Sequence, residues 1–188
     1  MRAVVVLLLV GLVGAMPVRA AEIEGVRFDD RVTVAGSPLV LASTGLLRYR
    51  IVFRGYVAAL YVAPGAAPES VFLADAPKRL EISYFWGIGG SDFAQATIDG
   101  IAKNFRPADV ERLRARTERL NALYADVKPG DRYALTYLPG RGLELALNGV
   151  PRGAPVEGAD FAAAIFAIWF GRVPFDEGLK RDLLRLSS

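Results

Sequence analysis

The sequence predicts an α+β domain: a large antiparallel sheet covered on one side by a layer of helices. Three observations carry that expectation. Strand-like segments, several with period-two alternation, dominate residues 22–85, and alternation returns in two segments after Asp131. Two amphipathic helical segments separate those blocks, and a charge-free helical segment and a further amphipathic one follow the second block. Strands therefore come in runs instead of alternating with helices as a parallel βαβ sheet requires. The 188 residues contain no internal repeat and no linker, and that length suits one domain with a sizeable core.

The elements follow in order. Met1 to Ala20 reads as a secretory signal, with Arg2 as its positive region, an uncharged apolar run from Ala3 to Met16, and Val18-Arg19-Ala20 at the cleavage point. The run is short of the roughly 20 apolar residues of a membrane span, so residues 21–188 are expected as one domain, periplasmic or secreted, with no stable membrane span after cleavage. Glu22 to Phe28 reads as a strand turned by Asp29-Asp30. Arg31–Ala35 and Pro38–Ala42 make a hairpin around Gly36-Ser37. From Leu47 to Arg54 apolar and basic residues alternate, Leu47, Tyr49, Ile51 and Phe53 against Arg48, Arg50, Val52 and Arg54. After Gly55 the run to Val62 is nearly all apolar, as in a strand covered on both faces. Gly55 predicts a bulge or bend between the two. Arg48, at the start of this stretch, is a candidate to point into a ligand cleft.

Ala63 to Pro68 is a loop, and Glu69 to Ala74 shows neither period clearly. Arg79 to Phe85 alternates as a strand, and Gly87 to Gly90 is a flexible connection without the spacing of a dinucleotide fingerprint. Ser91 is expected to cap a helix through Asn104. Pro107 opens a second helix to about Tyr124, whose Arg- and Glu-rich face reads as a solvated one. Lys128 to Asp131 is a turn, Arg132–Leu138 and Gly142–Leu147 are strands, and Asn148-Gly149 is a hairpin signal. Asp160 caps a charge-free helix, Phe161 to Phe170, which must be buried nearly all round. Gly171 ends it, and Pro174 and Asp176 introduce a last amphipathic helix through Leu186.

Composition removes several chemistries. There is no cysteine, hence no disulfide, no thiol nucleophile and no Cys-based metal site. There is no histidine, hence no serine–histidine triad. No metal site and no cofactor are expected. Removing Arg2 and Arg19 from the formal +3 leaves +1, a balance that gives no footprint for nucleic acid.

Several segments together resemble the chalcone isomerase-like family, most closely its exported bacterial members. They are Arg48 with the strand after it, Tyr56-Val57-Ala58-Ala59-Leu60-Tyr61, Lys128-Pro129-Gly130-Asp131, Leu143 to Gly149, and Ile168-Trp169-Phe170-Gly171 followed by Pro174 and Leu179-Lys180. The resemblance implies an open-faced sandwich with a ligand cleft between sheet and helices. It places Arg48 on the arginine that holds a substrate oxyanion in the plant enzymes, or a fatty-acid carboxylate in non-enzymatic members. Tyr56 falls where those enzymes carry a threonine, and Ile168 where they carry a further hydroxyl. Asn104 is a polar candidate in the helical segment that holds their tyrosine and asparagine. No catalytic residue is assigned. The resulting expectation is a non-catalytic module with Arg48, Tyr56, Tyr61 and Asn104 around a small apolar carboxylate or phenolic ligand. Two alternatives stand beside it. One is an isomerase of the intramolecular lyase type, with Arg48 stabilising an oxyanion and Tyr56 or Tyr61 donating the proton. The other is a structural envelope protein without ligand.

Overall fold

The structure, a computed structural model, describes residues 20–49 and 53–185. The expected signal up to Arg19, and the expected placements of Arg50, Ile51, Val52 and Leu186, lie outside the described residues. β1 (Ala20–Ile23) and β2 (Val26–Asp29) form a separate two-stranded hairpin. The expected single strand Glu22–Phe28 is thus corrected to a reversal at Glu24-Gly25, where both residues take positive φ, 51° and 77°, the geometry of a two-residue hairpin turn.

β3 (Arg31–Val34), β4 (Ser37–Tyr49), β5 (Phe53–Val62), β6 (Lys78–Tyr84), β7 (Arg132–Leu138), β8 (Gly142–Leu147) and β9 (Val150–Pro151) form one sheet in chain order, every neighbour antiparallel. β4 runs unbroken through both segments read separately from the sequence. Tyr49 pairs with Phe53 and Arg48 with Arg54, so the chain reverses between β4 and β5. This corrects the expectation of one strand from Leu47 to Arg54 bending at Gly55. Gly55 lies inside β5, where its carbonyl accepts the Phe85 N–H at 3.2 Å. A 3₁₀ turn, Pro68–Phe72, occupies the segment of unclear period.

The helices are α1 (Gly90–Asn104), α2 (Pro107–Asn121), α3 (Ala159–Phe170) and α4 (Glu177–Leu184). α1 begins just before Ser91, the expected cap. Its capping contact comes from Asp92, whose carboxylate accepts the Gly89 N–H at 3.3 Å. Asp176 caps α4 by accepting the Leu179 N–H at 2.7 Å.

Alternation along the strands builds two chemically different faces. Tyr56, Ala58, Leu60, Leu80, Ile82, Tyr84, Tyr133, Leu135 and Leu145 face the helices and form one core with Ile101, Leu120, Phe161, Ile165 and Leu183. α4 seats against β4 over Gly45, where a Cβ would lie 2.8 Å from Leu179 Cδ1. Buried Ser43 donates to the Leu183 carbonyl and fixes the same contact. The opposite face carries Leu39, Val57, Ala59 and Tyr61 beneath Phe28 of the β1–β2 hairpin. A charged layer adjoins it: Glu81 accepts from Arg79 at 3.0 Å and from Arg132 at 2.7 Å, and the Arg132 guanidinium lies 4.6 Å from the Phe28 ring centre.

Candidate functional site

Between the sheet and α1 and α3 lies a cavity of about 250 Å³. Its floor comes from neighbouring strands, because Tyr56 on β5 stands directly opposite Tyr84 on β6, and Tyr133 on β7 follows on the same face. Leu80, Ile82, Leu135 and Leu145 complete the floor; Phe93, Ala96, Thr97, Ile168 and Trp169 supply the helical wall. At the mouth stand Ile88, Asp92 and Phe175, the last 57% exposed. The rings pack edge-on, Tyr56 on Tyr84 at 5.8 Å, Tyr84 on Phe93 at 5.2 Å and Phe93 on Tyr133 at 5.2 Å, while Phe93 stacks on Tyr124 at 5.5 Å.

Four phenols line this space, and their protons are not equally committed. Tyr133 donates to the Ala125 carbonyl at 2.9 Å and accepts the Ala125 N–H at 2.8 Å. The Thr97 hydroxyl donates to the Phe93 carbonyl at 2.9 Å, so across its 3.2 Å contact with Tyr124 the phenol must be the donor. Tyr56 accepts from Trp169 Nε1 at 3.0 Å. An indole N–H only donates, so the Tyr56 proton is left uncommitted. The Tyr84 hydroxyl makes no hydrogen bond among the described residues. Burial pushes the pKa of Tyr56 and of Tyr84 well above the usual phenol value. The nearby Asp176 charge adds to the rise at Tyr56, against the pull of the Trp169 hydrogen bond, and the neighbouring phenols add at Tyr84. Burial likewise raises Tyr124 to about 12. Both uncommitted hydroxyls therefore remain protonated donors at neutral pH.

Of the four residues expected at a ligand, the structure brings Tyr56 alone to this cavity. Arg48 follows a register shift between Leu47 and Arg48. Its side chain, 53% exposed, reaches Glu24 Oε1 at 3.4 Å, and Arg54 holds the same carboxylate at 3.1 Å. Both arginines are thus drawn to the β1–β2 hairpin, with Arg54 over the Phe85 ring at 4.9 Å. Tyr61 is fully buried on the face opposite the helices, and its hydroxyl has no partner among the described residues. Asn104 is a clamp between α1 and the segment after α3: its Nδ2 donates to Gly100 O at 3.0 Å and Val173 O at 2.9 Å, and its Oδ1 accepts the Val173 N–H at 3.0 Å. It thereby steadies the segment that carries Phe175. Ile168, at the position of an expected hydroxyl, does line the cavity.

Sequence reasoning missed Tyr84, Tyr124, Tyr133 and Trp169 as lining residues. The inward alternation of Leu80, Ile82 and Tyr84 was the available signal. Among the described residues no lysine or arginine lines the cavity. No group of three or more acidic residues there could hold a metal, and no described helix is long and apolar enough to cross a membrane.

A family model described as chalcone isomerase-like matches residues 20–185. Among solved structures, a fatty-acid binding protein of Arabidopsis thaliana superposes with a TM-score of 0.64 at 16% identity, covering 88% of this chain and 96% of that one. No curated protein matches.

Proposed function

The chain belongs to the chalcone isomerase-like family, and from that premise we propose that it is a non-catalytic carrier or sensor of a small apolar molecule held between the sheet and α1 and α3. The observation that carries this reading is the cavity itself, an apolar space with two uncommitted phenol donors, Tyr56 and Tyr84, on its floor. Sites for small molecules have this anatomy, apolar walls with a few placed polar groups. At about 250 Å³ it lies just under the usual range of roughly 300–1,000 Å³, which favours one medium-length acyl chain or a compact ring system. Against catalysis stand Ile168, which can donate nothing, and the withdrawal of Arg48 to Glu24. An oxyanion forming over Tyr56 would have phenols alone to stabilise it. That the Arabidopsis protein with this fold is a fatty-acid binding protein agrees with a binding role.

Native mass spectrometry of protein purified from cells, followed by titration with medium-chain lipids, is the test. A copurified or titratable apolar ligand displaced by Ile168→Trp, which fills the cavity, is the expected outcome. A protein that carries nothing and takes up nothing would overturn the reading. We further propose export, on the charge-free run Ala3 to Met16. N-terminal sequencing of the mature protein should begin near Ala21 or Glu22, and recovery of intact Met1 on a membrane-bound product would refute it.

A further inference from the structure

The geometry points to an uncharged ligand head, a carbonyl acceptor such as that of an ester or ketone, in preference to a free carboxylate. The inference rests on the cavity being a ligand site and concerns what its polar groups recognise. Tyr56 and Tyr84 pair across neighbouring strands and both line the cavity, and their two hydroxyl protons have no acceptor among the described residues. A ligand that satisfies them must present acceptor oxygen. A carboxylate would offer that too, but its charge would have to be matched, and the charges near the site have the wrong sign. Asp92 is a lining residue and Asp176 acts on the Tyr56 hydroxyl, while no lysine or arginine among the described residues lines the space. Arg48, the cation expected there, is held by Glu24. Taking an unpaired carboxylate out of water into apolar walls is far more costly than taking in a carbonyl that gains two hydrogen bonds.

Isothermal calorimetry at pH 8 with decanoate, the anion of decanoic acid, and methyl nonanoate, an ester isomeric with that acid, separates the alternatives, because size and shape nearly match and charge does not. Methyl nonanoate should bind at least tenfold more tightly. Tyr56→Phe and Tyr84→Phe, each retaining its ring, should weaken the ester about two- to tenfold, with near-ultraviolet circular dichroism confirming an unchanged core. Equal or tighter binding of decanoate overturns the inference and leaves the ligand-site reading intact. Undiminished ester binding by both variants also overturns it, because the hydroxyls then recognise nothing. If neither probe binds, this inference falls, and the ligand-site reading is decided separately by the native mass spectrometry described above.

Discussion

Lys78 has no accessible surface, and its ammonium donates to two carbonyls, that of Val71 at 2.9 Å and that of Leu73 at 2.6 Å. The rings of Tyr137 and Phe166 lie 5.6 and 5.5 Å away. These contacts tie the open end of the 3₁₀ turn to the sheet, a cap that the sequence, with its strand expected from Arg79, did not suggest. Burial pushes the Lys78 pKa down to about 8, with the Asp75 charge opposing only in part. Below about pH 8 the folded state carries a charge that the unfolded chain would carry in water. From there to about 10.5 the folded lysine is neutral and the unfolded one protonated. The unfolded state then binds more protons, and stability climbs with pH. Above about 10 the gain reverses, because Tyr56, Tyr84 and Tyr124 ionise more readily once unfolded. Urea unfolding at pH 9.5 should therefore give a stability higher than at pH 7.5 by on the order of 1–2 kcal/mol. Lys78→Met should flatten that window, and a wild-type stability that falls across it would contradict the account.

At the scale of elements, α1 and α3 approach closely because Gly100 has no side chain: a Cβ there would stand 2.8 Å from Ile168 Cγ1 and 3.0 Å from Cγ2. Alanine at 100 would gain helix propensity of about 1 kcal/mol, but overpacking typically costs about 1–3 kcal/mol. Ile168 can yield only toward the cavity it lines. Gly100→Ala should therefore destabilise the fold by about 1 kcal/mol net, and adding Ile168→Ala should cost less than the sum of the two. A thermally more stable Gly100→Ala would show that the helices are free to separate. Elements were legible where the two faces of a strand differ chemically, as in Arg79, Glu81 and Ser83 against Leu80, Ile82 and Tyr84. They were illegible where alternation reads straight through a reversal. Leu47 to Arg54 has neither Gly nor Pro to mark the β4–β5 turn, so the period-two pattern simulated one strand. Nor could the direction of Arg48 be read from alternation, because it follows a register shift and side-chain direction flips with a one-residue change of register.

For the whole molecule, the α+β class and the single covering layer of helices followed from the order of periodic segments. The site did not, because its floor is a cross-strand row. Tyr56, Tyr84 and Tyr133 lie far apart in sequence and meet only through registers that pair residue 56 with 84 and 82 with 133. What could be read was a set of inward aromatics; which protons they keep depends on Trp169, Thr97 and Ala125, contributed by other elements. The sheet follows chain order from β3 to β9, while α3 and α4 come after its last strand. During synthesis the complete sheet can thus leave the ribosome before the segment that closes over Leu60, Leu80 and Tyr56. Until that segment docks, a broad apolar surface faces water, the kind of exposure that draws nascent chains into aggregates or onto chaperones. A chain terminated just before Ala159 would hold every described strand and still present that surface permanently, so α3 and α4 decide whether the apolar face of the sheet is covered.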